Sequence, residues 1–168
     1  VKIILTGASG LFGTAMRDAV SGSDHVVTPV SRTPRCDAQG PWLTLQGDFE
    51  SSCAALAPDA IVHAAALSSP AVCEQNSSDA YAANVLLTQR VVALARDLGV
   101  PCVFLSTDLV FDGNCDVPPG GFDERSDPRP QSVYAKTKLQ AEEVALAYPS
   151  SCVLRISLLI GEGAVPLI

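Results

Sequence analysis

The sequence predicts a doubly wound α/β fold on a parallel sheet, and three observations carry that expectation. Short apolar or β-branched runs alternate with longer segments of helical spacing. The short runs are apolar almost throughout, as strands covered on both faces are. The first run passes directly into a glycine-rich turn and then a helix-forming segment, the arrangement of a βαβ unit.

In order along the chain, the expected strands are Lys2–Thr6 and residues 25–30, 60–64, 102–106 and 152–157, with a weaker one at 42–46. The expected helices are Leu11–Val20 and residues 51–57, 79–98 and 132–147. In the third helix Tyr81, Val85, Thr88, Val92 and Ala95 recur at steps of three and four, which predicts one buried face. Residues 112–131 form a long loop rich in proline and glycine, of a length that in a compact domain points to function or mobility.

Composition narrows the function classes. At 168 residues, with 48% hydrophobic and 17% charged side chains, the chain has the material for one buried core and is not a disordered segment. A net charge of −7 repels nucleic acid and anionic membrane surfaces. The apolar runs fall well short of the ~18 residues that a membrane span requires, and the N-terminal residues enter a glycine turn without the apolar segment of a signal peptide. The six cysteines, Cys36, Cys53, Cys73, Cys102, Cys115 and Cys152, include no CxxC pair, and only His25 and His63 accompany them. The expectation is a buried, reduced thiol set in a cytoplasmic protein, with no metal site. Residues 161–168 run apolar to the end without a polar tail, as if the chain were cut there.

The chemistry begins at Thr6-Gly7-Ala8-Ser9-Gly10-Leu11-Phe12-Gly13. Glycines at these places permit a tight turn, let backbone approach a pyrophosphate and let the helix pack on the strand, while the helix start favours an anion. At the end of the second strand, where an acidic side chain would grip a ribose 2′-hydroxyl, the chain offers Ser31, Arg32 and Arg35. An arginine there suits a 2′-phosphate, so NADP is expected over NAD, with solvated loop charge as the alternative. Asp48 either accepts from an adenine amino group or caps the next helix. Tyr134 and Lys138 lie four residues apart on one helix face, where an ammonium can lower a phenol's pKa and make Tyr134 a proton donor to a carbonyl. Ser106-Thr107-Asp108 ends the fifth strand, where a hydroxyl can hold the same carbonyl. Asn84 reads either as a proton relay through water to Lys138 or as a buried amide satisfying backbone at a kink.

Together with His63-Ala64-Ala65-Ala66, Leu109-Val110-Phe111-Asp112-Gly113 and Leu154-Arg155-Ile156-Ser157, these motifs resemble an extended short-chain dehydrogenase/reductase, most of all the dTDP-4-dehydrorhamnose reductase group of sugar-nucleotide reductases. The resemblance covers the chain in order. It implies a Rossmann domain over 1–168, with a substrate-binding portion further on that this chain lacks. It implies catalysis by Thr107, Tyr134 and Lys138, with Asn84 as the usual fourth member. Gly7, Gly10 and Gly13 would hold the pyrophosphate, Arg32 the 2′-phosphate, and residues 64–67 would line the ribose side. Ser9, Leu11, Phe12, Ser31, Asp48, Phe49, Ala64, Ala65, Ala66, Tyr134 and Lys138 complete the implied cofactor contacts.

The implied activity is NADP(H)-dependent reduction of a keto group on a nucleotide-activated sugar. A sugar-nucleotide epimerase could use the same three residues. A non-catalytic NADP-binding regulatory subunit, like the β subunit of methionine adenosyltransferase, would instead contact a partner enzyme. Leu109 stands where the reductases commonly carry tyrosine and where the related dehydratases carry glutamate, so dehydration is disfavoured and the sugar is left open. A homodimer through the two long helices is a further possibility that the family offers.

Overall fold

The computed structural model describes residues 1–37, 40–113 and 117–159. Cys115 and residues 161–168 therefore lie outside the described residues. Strand β1 (Lys2–Thr6) leads through the glycine turn into α1 (Leu11–Val20), which returns to β2 (Val26–Ser31). A short antiparallel ribbon follows, β3 (Cys36–Asp37) with β4 (Gly40–Pro41), and then β5 (Leu43–Thr44) and α2 (Phe49–Ala55). The second half runs β6 (Ala60–His63), α3 (Pro70–Gln75), α4 (Ser77–Tyr81), a π-turn over Ala82–Leu86, α5 (Leu87–Leu98), β7 (Cys102–Thr107), α6 (Val133–Leu146) and β8 (Ser151–Ile156).

Six strands make one sheet in the order β5-β2-β1-β6-β7-β8, every pairing parallel. Chain order reverses between β1 and β6, and at that reversal an open α/β sheet leaves a crevice beyond its carboxyl ends. One face carries the larger core, in which Ile4, Val30, Ile61 and Phe104 of the sheet meet Phe49 and Cys53 of α2, Val91, Val92 and Ala95 of α5, and Ala141 and Ala145 of α6. On the other face Leu5, Val62 and Leu105 pack with Phe12 and Met16 of α1 and with Trp42. The doubly wound α/β expectation is met.

Several local departures have physical causes. The strand expected at 42–46 contracts to Leu43–Thr44, because Trp42 N–H closes the ribbon on the Arg35 carbonyl at 2.9 Å and the chain joins β2 only at Val30 and Ser31. Helix α3 was not expected at all. Its start is a serine cap, Ser69 Oγ accepting from Val72 N–H at 3.4 Å, followed by Pro70 in the first turn, a start signal hidden in a segment that reads as loop.

The helix expected at 79–98 is continuous from Ser77 but is interrupted by the π-turn, and Tyr81 is exposed although it belongs to the predicted buried stripe. The extra residue in a π-turn advances the register by one. Ala80, fully buried, takes the place that a regular helix would give Tyr81. The thiol expectation also needs correcting: Cys53, Cys73 and Cys102 are buried, but Cys36 and Cys152 are exposed. Cys36 sits in the two-residue ribbon and Cys152 on an edge strand, and neither has a covering layer among the described residues.

Candidate active site

At the reversal point the loops after β1, β2 and β6 enclose a cleft of about 630 Å³, a size ordinary for a ligand site. Gly7, Ser9 and Gly10 line it from the first loop, Ser31 and Arg32 from the second, and Ala64, Ala65 and Ala66 from the third. The three glycines serve different ends. Gly7 has φ of 71°, and a Cβ there would lie 2.5 Å from the Ala64 carbonyl carbon. Gly13 lets α1 sit directly on the backbone of Gly7 and Ala8. Gly10 caps α1, and a Cβ there would meet nothing nearer than the Gly7 oxygen at 3.4 Å, so its open side faces the cleft.

This is a cradle of bare backbone at a helix start, with an exposed arginine at its rim. It fits a dinucleotide pyrophosphate with a further phosphate near Arg32.

Other expected contacts fall elsewhere. Phe12 packs into the second core and Gly13 is buried beneath the turn, so both shape the loop without lining the cleft; Leu11 is exposed at the helix start. Phe49 is 1% exposed in the main core, with Arg90 over its ring, so its side chain makes no contact in the cleft. The first turn of α2 tucks under the sheet and takes Phe49 with it. Asp48 precedes that helix as its N-cap residue but makes no side-chain capping bond. Leu45, Val72, Ala82, Ala83 and Leu87, which line the cleft too, carry no sequence signal beyond being apolar or small.

Thr107, Tyr134 and Lys138 converge at the carboxyl end of β7. Thr107 ends the strand and caps the turn beyond it, its hydroxyl accepting from Leu109 N–H at 3.2 Å. Ser132 caps α6 by accepting from Ala135 N–H at 3.1 Å, which fixes where the helix begins and so where Tyr134 and Lys138 fall. Burial pushes the Tyr134 phenol above its ordinary pKa, the neighbouring Cys73 adds to this, and a hydrogen bond with Thr107 works against it. Lys138 is buried on the same helix. Its ammonium donates to the Leu105 carbonyl and lies 4.0 Å above the Phe104 ring. Burial pulls the Lys138 pKa down to about 7, with Glu142 opposing. Ser106 Oγ is buried without a hydrogen-bond partner among the described residues.

Asn84 makes the contacts of the second of its two readings. Its Oδ1 accepts from Leu67 N–H at 2.8 Å, while its Nδ2 donates to the Leu67 carbonyl at 3.3 Å and to Thr137 Oγ1 at 3.0 Å. The buried amide thus ties the loop after β6 to the helix bearing Tyr134, from within the π-turn. Leu67 itself lines the cleft, so this clamp joins cleft and catalytic helix.

A second buried polar chain runs beside it. Thr88 Oγ1 donates to the Asn84 carbonyl at 2.6 Å and must accept from His63 Nε2 at 3.0 Å, which leaves His63 Nδ1 to accept from Thr6 Oγ1 at 2.6 Å. Burial first, and the Lys138 charge second, push the His63 pKa down to about 3, so the ring is neutral. It serves as a fixed strut between β1 and α5.

A glycine-cradled cleft at the reversal of a parallel six-stranded sheet, with Thr107 ending β7 and Tyr134 and Lys138 on α6, has the make-up of an extended short-chain dehydrogenase/reductase domain. Residues 1–165 match the family described as RmlD substrate binding domain, and the chain belongs to that family. It is 34% identical over 158 residues to a dTDP-4-dehydrorhamnose reductase of Sinorhizobium fredii, covering 94% of this chain and 50% of that protein. It is 32% identical over 175 residues to the methionine adenosyltransferase 2 subunit beta of Danio rerio, covering 96% and 49%. The crystal structure of a dTDP-4-dehydrorhamnose reductase from Clostridium acetobutylicum superposes with a TM-score of 0.81 at 27% identity, over 98% of this chain and 56% of that one. The chain spans about half the length of the curated relatives it matches. No helix among the described residues is long and apolar enough to cross a membrane.

Proposed function

We propose that the chain is the cofactor-binding half of an NADP(H)-dependent reductase that acts on a keto group of a nucleotide-activated sugar. The observation that carries this reading is a glycine-cradled cleft tied through Leu67, Asn84 and Thr137 to the helix that bears Tyr134 and Lys138, which meet the carboxyl end of β7. Gly7, Ser9 and Gly10 would hold the pyrophosphate, Arg32 the 2′-phosphate, and Ala64, Ala65 and Ala66 the wall opposite. When bound, the dinucleotide supplies the hydride.

The chain's own residues do the rest. Burial keeps the Tyr134 phenol protonated at neutral pH, as a proton donor must be. The Thr107 hydroxyl, near enough to that phenol to act against its raised pKa, orients the oxygen that receives the proton. Lys138, four residues on from Tyr134 on the same helix face, supplies positive charge for a ribose hydroxyl and for the anion left on Tyr134. Free cysteines, two of them exposed among the described residues, suit a reducing cytoplasm.

In the whole protein, NADPH oxidation driven by a 4-keto sugar nucleotide is expected. Tyr134→Phe should lower kcat by about 10²–10⁴-fold, the usual worth of a positioned general acid, with NADPH affinity retained. The similarity to methionine adenosyltransferase subunits favours a second reading, a regulatory subunit that holds NADP against a partner enzyme. That reading predicts no loss of function in Tyr134→Phe, whereas inversion of the sugar without net cofactor change would point to an epimerase.

A further inference from the structure

Two charged side chains share the buried stripe of α6, where the helix's other buried positions are small or hydroxyl-bearing. Lys138 is 3% exposed and Glu142, one turn on, is 2% exposed. Residues four apart lie on one helix face. Glu142 is held bidentately by Arg155 of β8, whose Nε donates to Glu142 Oε1 at 3.0 Å and whose Nη2 donates to Oε2 at 2.6 Å. The guanidinium is held from its other side by Phe111, 5.0 Å from the ring centroid, and Phe111 is in turn stacked flat on Phe122 at 4.6 Å. A buried ion pair contributes little net stability against an apolar replacement, so its position one turn from a functional lysine needs another reason.

We propose that the Glu142–Arg155 pair is a charge-setting device for Lys138, in which Glu142 holds the buried ammonium in its charged form and Arg155 limits how much of the Glu142 charge reaches it. The pair thus extends the site of the proposed reductase by two positioning residues. Its catalytic consequence rests on that reading of Lys138, but its electrostatics do not.

The other charged groups on the surrounding elements are placed to do less. Glu74 of α3 accepts from Val133 N–H at 2.7 Å at the start of α6, Asp79 of α4 and Asp108 beyond β7 are exposed, and His63 of β6 is neutral. On α5, Arg90 is bound to Glu50, Arg96 lies over the Tyr148 ring, and Asp97 is exposed. Tyr134, on the same helix as Lys138, is protonated below its raised pKa.

The two halves of the pair act on Lys138 with opposite sign, whereas a salt bridge that does not set the lysine's charge leaves its titration unmoved. Lys138 is followed by NMR in the protein labelled with ¹³C-lysine, its signal assigned as the one lost in Lys138→Met. Glu142→Gln removes the supporting carboxylate, so Lys138 should titrate about one pH unit lower. Arg155→Gln frees the Glu142 charge, so Lys138 should titrate about one pH unit higher.

Adding Arg155→Gln to Glu142→Gln removes a repelling cation and should raise the titration again, which keeps the test decisive if Arg155→Gln alone does not fold. Shifts in the same direction in both single variants, or an unmoved Lys138, would overturn the proposal. Opposite shifts in a protein that binds no dinucleotide would refute the reductase reading and leave the device standing.

Discussion

Lys138→Met is expected to raise the melting temperature of the protein and, in the whole protein, to abolish the reductase activity proposed for it. Burial lowers the Lys138 pKa from the ordinary 10.5 to about 7. Between those values the unfolded chain binds a proton that the folded chain does not, so folded stability rises as pH climbs through that window. Below pH 7 the whole cost is present, on the order of 5 kcal/mol for a shift of this size.

The Leu105 carbonyl and the Phe104 ring, both lost to methionine, return part of that cost in the native protein. The net gain should then be about 1–3 kcal/mol, as when apolar groups replace a buried charge, or several degrees for a chain of this size. Thermal melts at pH 7 and pH 10 check both halves of the expectation. The variant's advantage must shrink at the higher pH, and a variant that is less stable at pH 7 would show that the ammonium is better solvated than its burial implies.

The second large effect separates two glycines of one turn. Gly7→Ala places a Cβ against the backbone of Ala64 and Ala65 at 2.5–2.6 Å, in a residue whose φ is 71°. Neither β1 nor β6 can retreat without breaking their parallel pairing. The left-handed backbone costs about 1–2 kcal/mol and the clash costs about as much again or more, so a loss of at least about 3 kcal/mol is expected by chemical denaturation. Gly22→Ala is the control for backbone conformation, since Gly22 has φ of 81° with nothing within 4 Å of a new Cβ. Gly10→Ala, with only the 3.4 Å contact, should fold normally and fail to bind dinucleotide because its methyl group projects into the cleft.

Much of this architecture was legible in the residues. Apolar runs of strand length separated by helical spacing located the strands of the main sheet to within a residue or two at most ends, because the inner strands are buried by the same two-sided covering that makes them apolar. The cleft's glycines, Arg32 and the alanines after β6 were legible because turn geometry and phosphate chemistry restrict residue type.

What stayed hidden depends on side chains meeting across the fold. Nothing local to Tyr81 announces a π-turn that rotates it into solvent, and nothing local to Asn84 shows that both ends of its amide are taken by Leu67 and Thr137. Phe49 lies beside a plausible adenine contact in sequence, yet its size draws it into the core. Glu142 and Arg155 are 13 residues apart and meet only because α6 returns antiparallel over β8.

The cleft between β1, β2 and β6 should take NADP(H), with the pyrophosphate on Gly10 and the 2′-phosphate on Arg32. Calorimetric titration of the protein with NADPH and with NADH tests it most directly. NADPH should bind the more tightly, and Arg32→Ala should weaken NADPH by about tenfold or more, the worth of one charge-assisted hydrogen bond, while leaving NADH unchanged. A folded protein that binds neither nucleotide, or that prefers NADH, would contradict it.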